Sequence, residues 1–298
     1  MNGKEIKKYR KAGKIAGKAR EKSKEIIKDN KTFLNAAKEI EEYIERKGGK
    51  PAFPVNLSVN EEAAHYTPGK KSKRKFEEDQ IIKVDIGVHV DGYVGGDTAY
   101  TIDLTEEHPK LIEASEEALE NAISMVKKDR KIDEISKEIQ ETIEKKGFKP
   151  IRNLTGHGLS KWKTHEEPII PNIKSNTNKK LKEGQIIAIE PFASTGRGIV
   201  KEGRHTEIYS YDKNIPIRGK TARDIIKKVK EEYNELPFAE RWISKDYQEL
   251  KMKMALKKLT NKKALKKYPV LKDSKESMVS QAEKTIIVEE EGCEVLTN

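Results

Sequence analysis

The stretch IIKVDIGVHVDGYVGGDTAYTIDL, residues 81–104, decides the architecture. Apolar residues alternate with a two-residue period through Val90, Asp91-Gly92 signals a hairpin turn, and a second strand returns from Tyr93. Two aspartates, Asp85 and Asp97, sit inside these otherwise apolar strands. A carboxylate in such a place is costly to bury unless it is paired or ligates a metal. Two of them on one hairpin repel, and a cation is the natural remedy. The alternative is that Asp97 caps a turn and Asp85 pairs with a lysine. With a two-residue turn, position 85 lies opposite position 98, which points residue 97 to the other face. One extra residue in the return strand restores the match, so Gly95-Gly96 predicts a β-bulge just before Asp97.

Upstream, residues 4–28 read as an amphipathic helix with Ile6, Tyr9, Ala12, Ala16, Ala19 and Ile26 near one stripe. Residues 32–46 read as a second helix, stopped by Gly48-Gly49. The segment PAFPVNLSVNEEAAHYTPG, residues 51–69, has little charge for a loop and is expected to pack inward. Downstream come helical patterns at 109–127 and 131–146, a strand at 151–158 running into GHG, and a strand at 186–193 cut by Pro191. Further strands are expected near 199–211 and 285–297, and helices at 221–236 and 244–267 with Pro269 beyond. The block 212–270 is mostly helical between strand-rich stretches, so it reads as an insertion into a larger α+β body.

The chain has 298 residues, 35% hydrophobic and 37% charged, with charges of both signs. Its dense apolar alternations exclude a wholly disordered chain. The single cysteine, Cys293, excludes an internal disulfide framework. No run approaches 18 apolar residues, and the opening residues lack the apolar core of a secretory signal, so a cytoplasmic location is expected. The net charge of +11 is concentrated at 1–29, with 11 basic and 4 acidic residues, and at 245–267, with 9 lysines and 2 acids. Two basic helical faces could touch RNA or an anionic surface, but neither interleaves aromatics for base stacking, so the favoured reading is solvated faces with no dedicated nucleic-acid motif.

Three further places attract attention. In TGHGLSKWKTHEEP, residues 155–168, His157 lies between two glycines and His165 follows eight residues later. Glu190 ends the apolar run IIAIE, and Glu283 stands at the mouth of the last strand in SQAEKTIIV. Asp85, Asp97, His157, Glu190 and Glu283 make four carboxylates and one imidazole, a set suited to two hard or borderline divalent cations. A structural zinc cluster is excluded because cysteine ligands are absent. Two cations sharing one hydroxide would activate it for attack on an acyl or phosphoryl centre. His65 and His165 are candidates to donate to the substrate carbonyl or the developing oxyanion.

Taken jointly, KPAFPVNLSVNEEAAHYTP (50–68), KVDIGVHVDGYVGGDTA (83–99), LTGHGLSKWKTHEEPIIPN (154–172), IIAIEPFASTGRG (186–198), LPFAERW (236–242) and QAEKTIIV (281–288) resemble type 2 methionine aminopeptidases in their short archaeal form. The resemblance implies the α+β pita-bread fold of two pseudo-symmetric halves, with a catalytic body at 1–211 and 271–298 and an inserted helical subdomain at 212–270. It implies that Asp85 binds one metal with both oxygens, that Asp97 and Glu283 bridge two metals, and that His157 and Glu190 hold the other. Glu190 would also help deprotonate the attacking water. His65 would stand near the scissile bond, His165 would contact the carbonyl and oxyanion, and Phe53 would wall the methionine pocket. The metals could be cobalt, manganese, iron, nickel or zinc. The substrate would be the N-terminus of nascent polypeptides whose second residue is small, with ribosome proximity, no membrane and a monomeric state. Xaa-Pro aminopeptidases or dipeptidases, and non-catalytic binders of nucleic acid or protein, share the body and are the alternatives. One departure stands out: the family usually places the hairpin aspartates eleven apart, and here they are twelve apart.

Overall fold

The computed structural model describes residues 2–298, and two stretches of the chain repeat each other in outline. In the first, helices α1 (Gly3–Ile26) and α2 (Phe33–Arg46) lead to short strands β1 (Lys50–Pro51), β2 (Asn56–Val59) and β3 (Glu62–Ala64), then to the hairpin of β4 (Ile81–Val90) and β5 (Tyr93–Asp103). In the second, α3 (Pro109–Ser124) and α4 (Ile132–Lys145) lead to β6 (Lys149–Pro150) and the hairpin of β7 (Thr155–Ser160) and β8 (Lys163–Pro171), then to β9 (Ile186–Ile189) and β10 (Phe192–Ser194). The second helix of each half is followed by a left-handed glycine, Gly48 at φ 80° and Gly147 at φ 86°, and then by a Lys-Pro strand. Local chemistry sets the helix starts. Asn2 caps α1 by accepting from the Lys4 and Glu5 amides while Glu5 reaches back to Asn2, and Thr32 caps α2. Ile132, Ile135, Ile139 and Ile143 place one apolar stripe of α4 in the core of the second half.

The chain continues through β11 (Lys201–Tyr211), α5 (Lys220–Glu232), β12 (Phe238–Ala239), α6 (Glu240–Ile243), α7 (Glu249–Asn261) and β13 (Leu265–Lys272). It ends in β14 (Val279–Gln281), β15 (Lys284–Glu289) and β16 (Gly292–Val295). The helix expected at 244–267 is shorter than its lysine-rich pattern implied. It stops at Asn261, Lys263 turns through φ 58°, and 265–272 becomes a strand paired along β11. Pro269, read as lying beyond a helix, sits inside that strand opposite Thr206, between two register shifts where a missing N–H does least harm. The last strand, expected as one run over 285–297, is a hairpin because Gly292, at φ 123°, turns it. Pro191 separates β9 from β10, which belong to different sheets. The α5–α7 segment has its own apolar cluster, including Ala222, Ile225, Val229, Phe238, Met252, Leu256 and Leu259. No helix among the described residues is long and apolar enough to cross a membrane.

The β4–β5 hairpin contains the expected bulge. Asp85 pairs with Ala99, Gly87 with Asp97 and Val88 with Gly96, then the register jumps to His89 with Val94 and leaves Gly95 over. Asp85 and Gly87 share a face, so Asp97, opposite Gly87, joins Asp85. Only glycine fits here: a Cβ on Gly95 would come within 2.2 Å of the Tyr9 carbonyl oxygen, and one on Gly96 within 2.5 Å of the Ala16 Cβ. The small side chains of α1 form the surface against which the bulge lies.

Candidate active site

The two halves are sewn together along β5. The Asp97 amide donates to Thr285 Oγ1 (2.8 Å), and the Thr285 hydroxyl donates to the Asp97 carbonyl (2.8 Å). The Thr98 hydroxyl donates to the Glu283 carbonyl (2.9 Å), and the Glu283 amide donates to Ala99 O (2.9 Å). This seam brings Glu283, from between β14 and β15, beside the aspartates of β4 and β5. His157 arrives from β7 and Glu190 from the break between β9 and β10. Phe53, His65, Asp85, Asp97, His157, His165, Glu190 and Glu283 all line one cavity of about 190 Å³. Every residue that the sequence singled out is therefore brought together.

The ligand atoms of Asp97, His157 and Glu283 lie within 4.8 Å of one another. His157 Nε2 stands 3.3 Å from Glu190 Oε1 and 3.9 Å from Asp97 Oδ2. Its Nδ1 is 3.4 Å from the Gly158 carbonyl, which can only accept, so a neutral ring carries its proton on Nδ1 and turns the Nε2 lone pair to the carboxylates. Asp85 Oδ1 is enclosed and without a hydrogen-bond partner. So is Oδ1 of Asn56, the residue paired with Asp85 across β2 and β4.

The electrostatics say that this set is short of positive charge. Burial holds the Asp85 carboxyl well above the ordinary range, and Asp97 and Glu190 push it further. Burial raises Asp97 to about 7, with His157 drawing it down and Glu190 pushing it up. Glu283 is also held well above its ordinary value, by burial and then by Asp97, Glu190 and Asp85. Burial alone would lower the His157 imidazole, but Glu190 and then Asp97 outweigh it and raise the pKa. Protons here occupy the role that a cation fills at lower cost. An oxygen and imidazole donor set, an orphaned buried carboxylate oxygen and an inward Nε2 lone pair all fit divalent metal.

Opposite the carboxylates stands a wall of neutral rings. His65, at φ 68°, donates from Nδ1 to the Pro269 carbonyl (3.1 Å), and its ring meets Tyr268 edge-on at 5.6 Å. Burial lowers its pKa to about 4, so it is uncharged near neutrality with Nε2 free to accept. The His165 ring lies 4.3 Å from His157 on the cavity lining, and the residue keeps solvent-exposed surface. Enclosure by protein atoms, then the neighbouring His157, His65 and Lys266, put its pKa well below the usual range. Phe53 packs so closely over Gly87 that a Cβ there would fall 2.2 Å from its ring.

Sequence reasoning missed Tyr268, Asn56 and Gln281, which also line the cavity. Gln281 Nε2 donates to Glu283 Oε2 at 3.4 Å. The repeated Asn in VNLSVN was a readable signal for Asn56. Tyr268 lay just past a pattern read as helix, and nothing local marked it as lining the cavity.

Similarity to known proteins agrees with this geometry. A family profile, Metallopeptidase family M24, matches residues 7–223. A methionine aminopeptidase of Pyrococcus horikoshii is 45% identical over 294 residues, covering 98% of this chain and 99% of that protein. One from Methanocaldococcus jannaschii is 42% identical over 296 residues, covering 98% and 99%. The crystal structure of a methionine aminopeptidase from Thermotoga maritima superposes with a TM-score of 0.73 at 26% identity, over 100% of this chain and 98% of that one.

Proposed function

Because the chain belongs to metallopeptidase family M24, and within it to the methionine aminopeptidases, we propose that Asp85, Asp97, His157, Glu190 and Glu283 hold two divalent metal ions in the cavity they line. The fold is the α+β pita-bread fold of that family. The activity is metal-dependent removal of an N-terminal methionine. The observation that carries the site assignment is the convergence of four carboxylates and an imidazole, scattered from position 85 to 283, beside an aromatic and histidine wall. Bound divalent cations supply Lewis-acid polarisation of the peptide carbonyl and a lowered pKa for the attacking water.

The remaining steps fall to the side chains of this chain. Glu190, against His157 Nε2, is placed to take the proton of the attacking water. His165, held neutral beside His157, donates to the substrate carbonyl and to the oxyanion as it forms. His65 stands beside the scissile bond, with its ring fixed by Pro269 and Tyr268. Phe53 walls the pocket for an unbranched thioether side chain, where burial and sulfur–ring contact both favour methionine. Crowding near His65 admits only a small second residue. Manganese, iron, cobalt, nickel and zinc all suit the donors, and availability decides among them.

On this reading residues 1–211 and 271–298 form the catalytic body, 212–270 form an inserted helical subdomain at its entrance, and the enzyme is a cytoplasmic monomer acting on nascent chains. The exposed lysines Lys257, Lys258, Lys262 and Lys263 provide a basic face toward the ribosome. Charge reversal of those four weakens salt-dependent ribosome binding, and unchanged binding would reject that face. The central test is methionine release from Met-Ala-Ser with each metal, beside an Xaa-Pro dipeptide, together with anomalous scattering from a metal-soaked crystal. Peaks away from the five residues, or preference for the proline substrate, would overturn the assignment.

A further inference from the structure

Away from the cavity lies another group of charged side chains out of water. Glu41, on α2, and Arg241, on α6, form an ion pair whose side chains are 10% and 3% exposed. Glu41 Oε1 also accepts the Val55 amide (3.2 Å), and its Oε2 accepts the Trp242 indole N–H (3.0 Å). Arg241 Nη1 donates to Thr67 Oγ1 (2.7 Å) and to the Pro68 carbonyl (3.1 Å). The Thr67 hydroxyl passes on to Val55 O at 2.8 Å.

The segments gripped here all lead to the cavity. Val55 follows Phe53 by two residues, Thr67 follows His65 by two, and Arg241 follows Pro237 by four. Phe53, His65 and Pro237 all line the cavity. Stability alone explains such a cluster poorly, because apolar residues of similar volume commonly replace a buried ion pair at no loss. The planar guanidinium offers fixed directions instead: one nitrogen holds the carboxylate and another holds the Thr67–Pro68 segment.

We propose that Arg241, oriented by Glu41, is a positioning residue for the cavity entrance. It fixes the spacing of His65, Phe53 and Pro237 and thereby sets how strictly the enzyme discriminates the second residue of its substrate. The inference rests on the methionine-removal reading, so the wild-type control must release methionine from Met-Ala-Ser; failure there would strike that reading and not this one.

The test is the double variant E41L/R241M, which leaves no buried charge unpaired, assayed on Met-Ala-Ser and Met-Val-Ser. The expected result is a roughly tenfold fall in the ratio of kcat/KM values between the two peptides, the size of one misfitted apolar contact. KM for Met-Ala-Ser should rise while kcat stays within about threefold. Manganese affinity by calorimetry should be unchanged, since none of the metal-facing residues is touched. A folded double variant with wild-type discrimination overturns the proposal. Should the double variant not fold, R241K decides: it keeps the charge and loses the fork, so discrimination falls if direction matters and holds if it does not.

Discussion

Two of the groups of charged side chains that lie out of water in this molecule are balanced in opposite ways. Around Glu41 and Arg241 each charge meets its opposite, and hydrogen bonds to Val55, Thr67, Pro68 and Trp242 occupy most of the remaining valences. Around Asp85, Asp97, Glu190 and Glu283 the only basic side chain within ion-pair distance among the described residues is His157, and Asp85 Oδ1 has no partner. The first group is balanced in charge as the chain folds, with the buried Arg241 Nε–H left without a partner. The second is completed by something that the chain does not encode. Burial therefore does not distinguish a structural ion cluster from a metal centre; the charge left over does.

The contrast breaks most sharply at Glu283. Replacing it with Gln removes one of the most deeply buried carboxylates of the proposed metal set, and kcat/KM on Met-Ala-Ser should fall about a thousandfold, several kcal/mol of lost transition-state stabilisation. Calorimetry should show weaker metal binding in parallel. Activity within tenfold of wild type would mean that the carboxylates do not act as a set. The next effect belongs to the balanced cluster. R241M alone strands Glu41 and should cost about 3–5 kcal/mol of stability in urea denaturation.

The same operation in the unbalanced cluster should have the opposite sign. In metal-free protein near neutral pH, Asp97→Asn removes repulsion and should stabilise by about 1–3 kcal/mol. The pH course follows from linkage. The folded pKa of Asp97, about 7, lies above its ordinary 3.8, so between those values the folded state holds the extra proton. Its contribution is fully present at low pH and is lost as pH rises through about 7. The advantage of the variant over wild type should therefore grow between pH 4 and pH 8 in EDTA. A gap that stays flat or shrinks would show that Asp97 is already neutralised within the protein. The smallest effect sharpens the comparison from outside. Arg10 and Glu294 form a bidentate pair at the surface, with side chains 52% and 31% exposed, and R10A should change stability by only about 0.2–1 kcal/mol.

Much of this was legible in the sequence because the anomaly was local. A carboxylate inside an alternating strand breaks a pattern that any reader can count, and Asp85, Asp97 and Glu190 each break one. Glu283 and His157 stood out less, because a carboxylate at a strand mouth and a histidine between glycines have ordinary structural readings; they gained weight only as members of a set with the other carboxylates. Tyr268 and the strand that carries it were not legible. The lysines and leucines of 249–267 continue a helical pattern past Asn261, and only the presence of β11 alongside turns 265–272 into a strand. The Glu41–Arg241 pair was equally hidden: 200 positions separate its members, and neither interrupts a local pattern.

The leftover residue at Gly95 has a consequence for how such chains diverge. The bulge absorbs the additional position in the return strand, and it fits because Ala12, Gly13 and Ala16 leave a notch in the facing helix: a Cβ on Gly13 would stand 2.8 Å from the Gly95 carbonyl oxygen. Bulge and notch form one structural trait written in two places. A chain with the shorter spacing would be free to enlarge the helix at Ala12 and Ala16, though not at Gly13, where a Cβ would also meet Leu296 at 2.5 Å, whereas one that kept the extra residue and enlarged the helix would throw Asp97 out of register. Covariation between a strand's length and the bulk of a distant helix is thus the genealogical signature this molecule should leave.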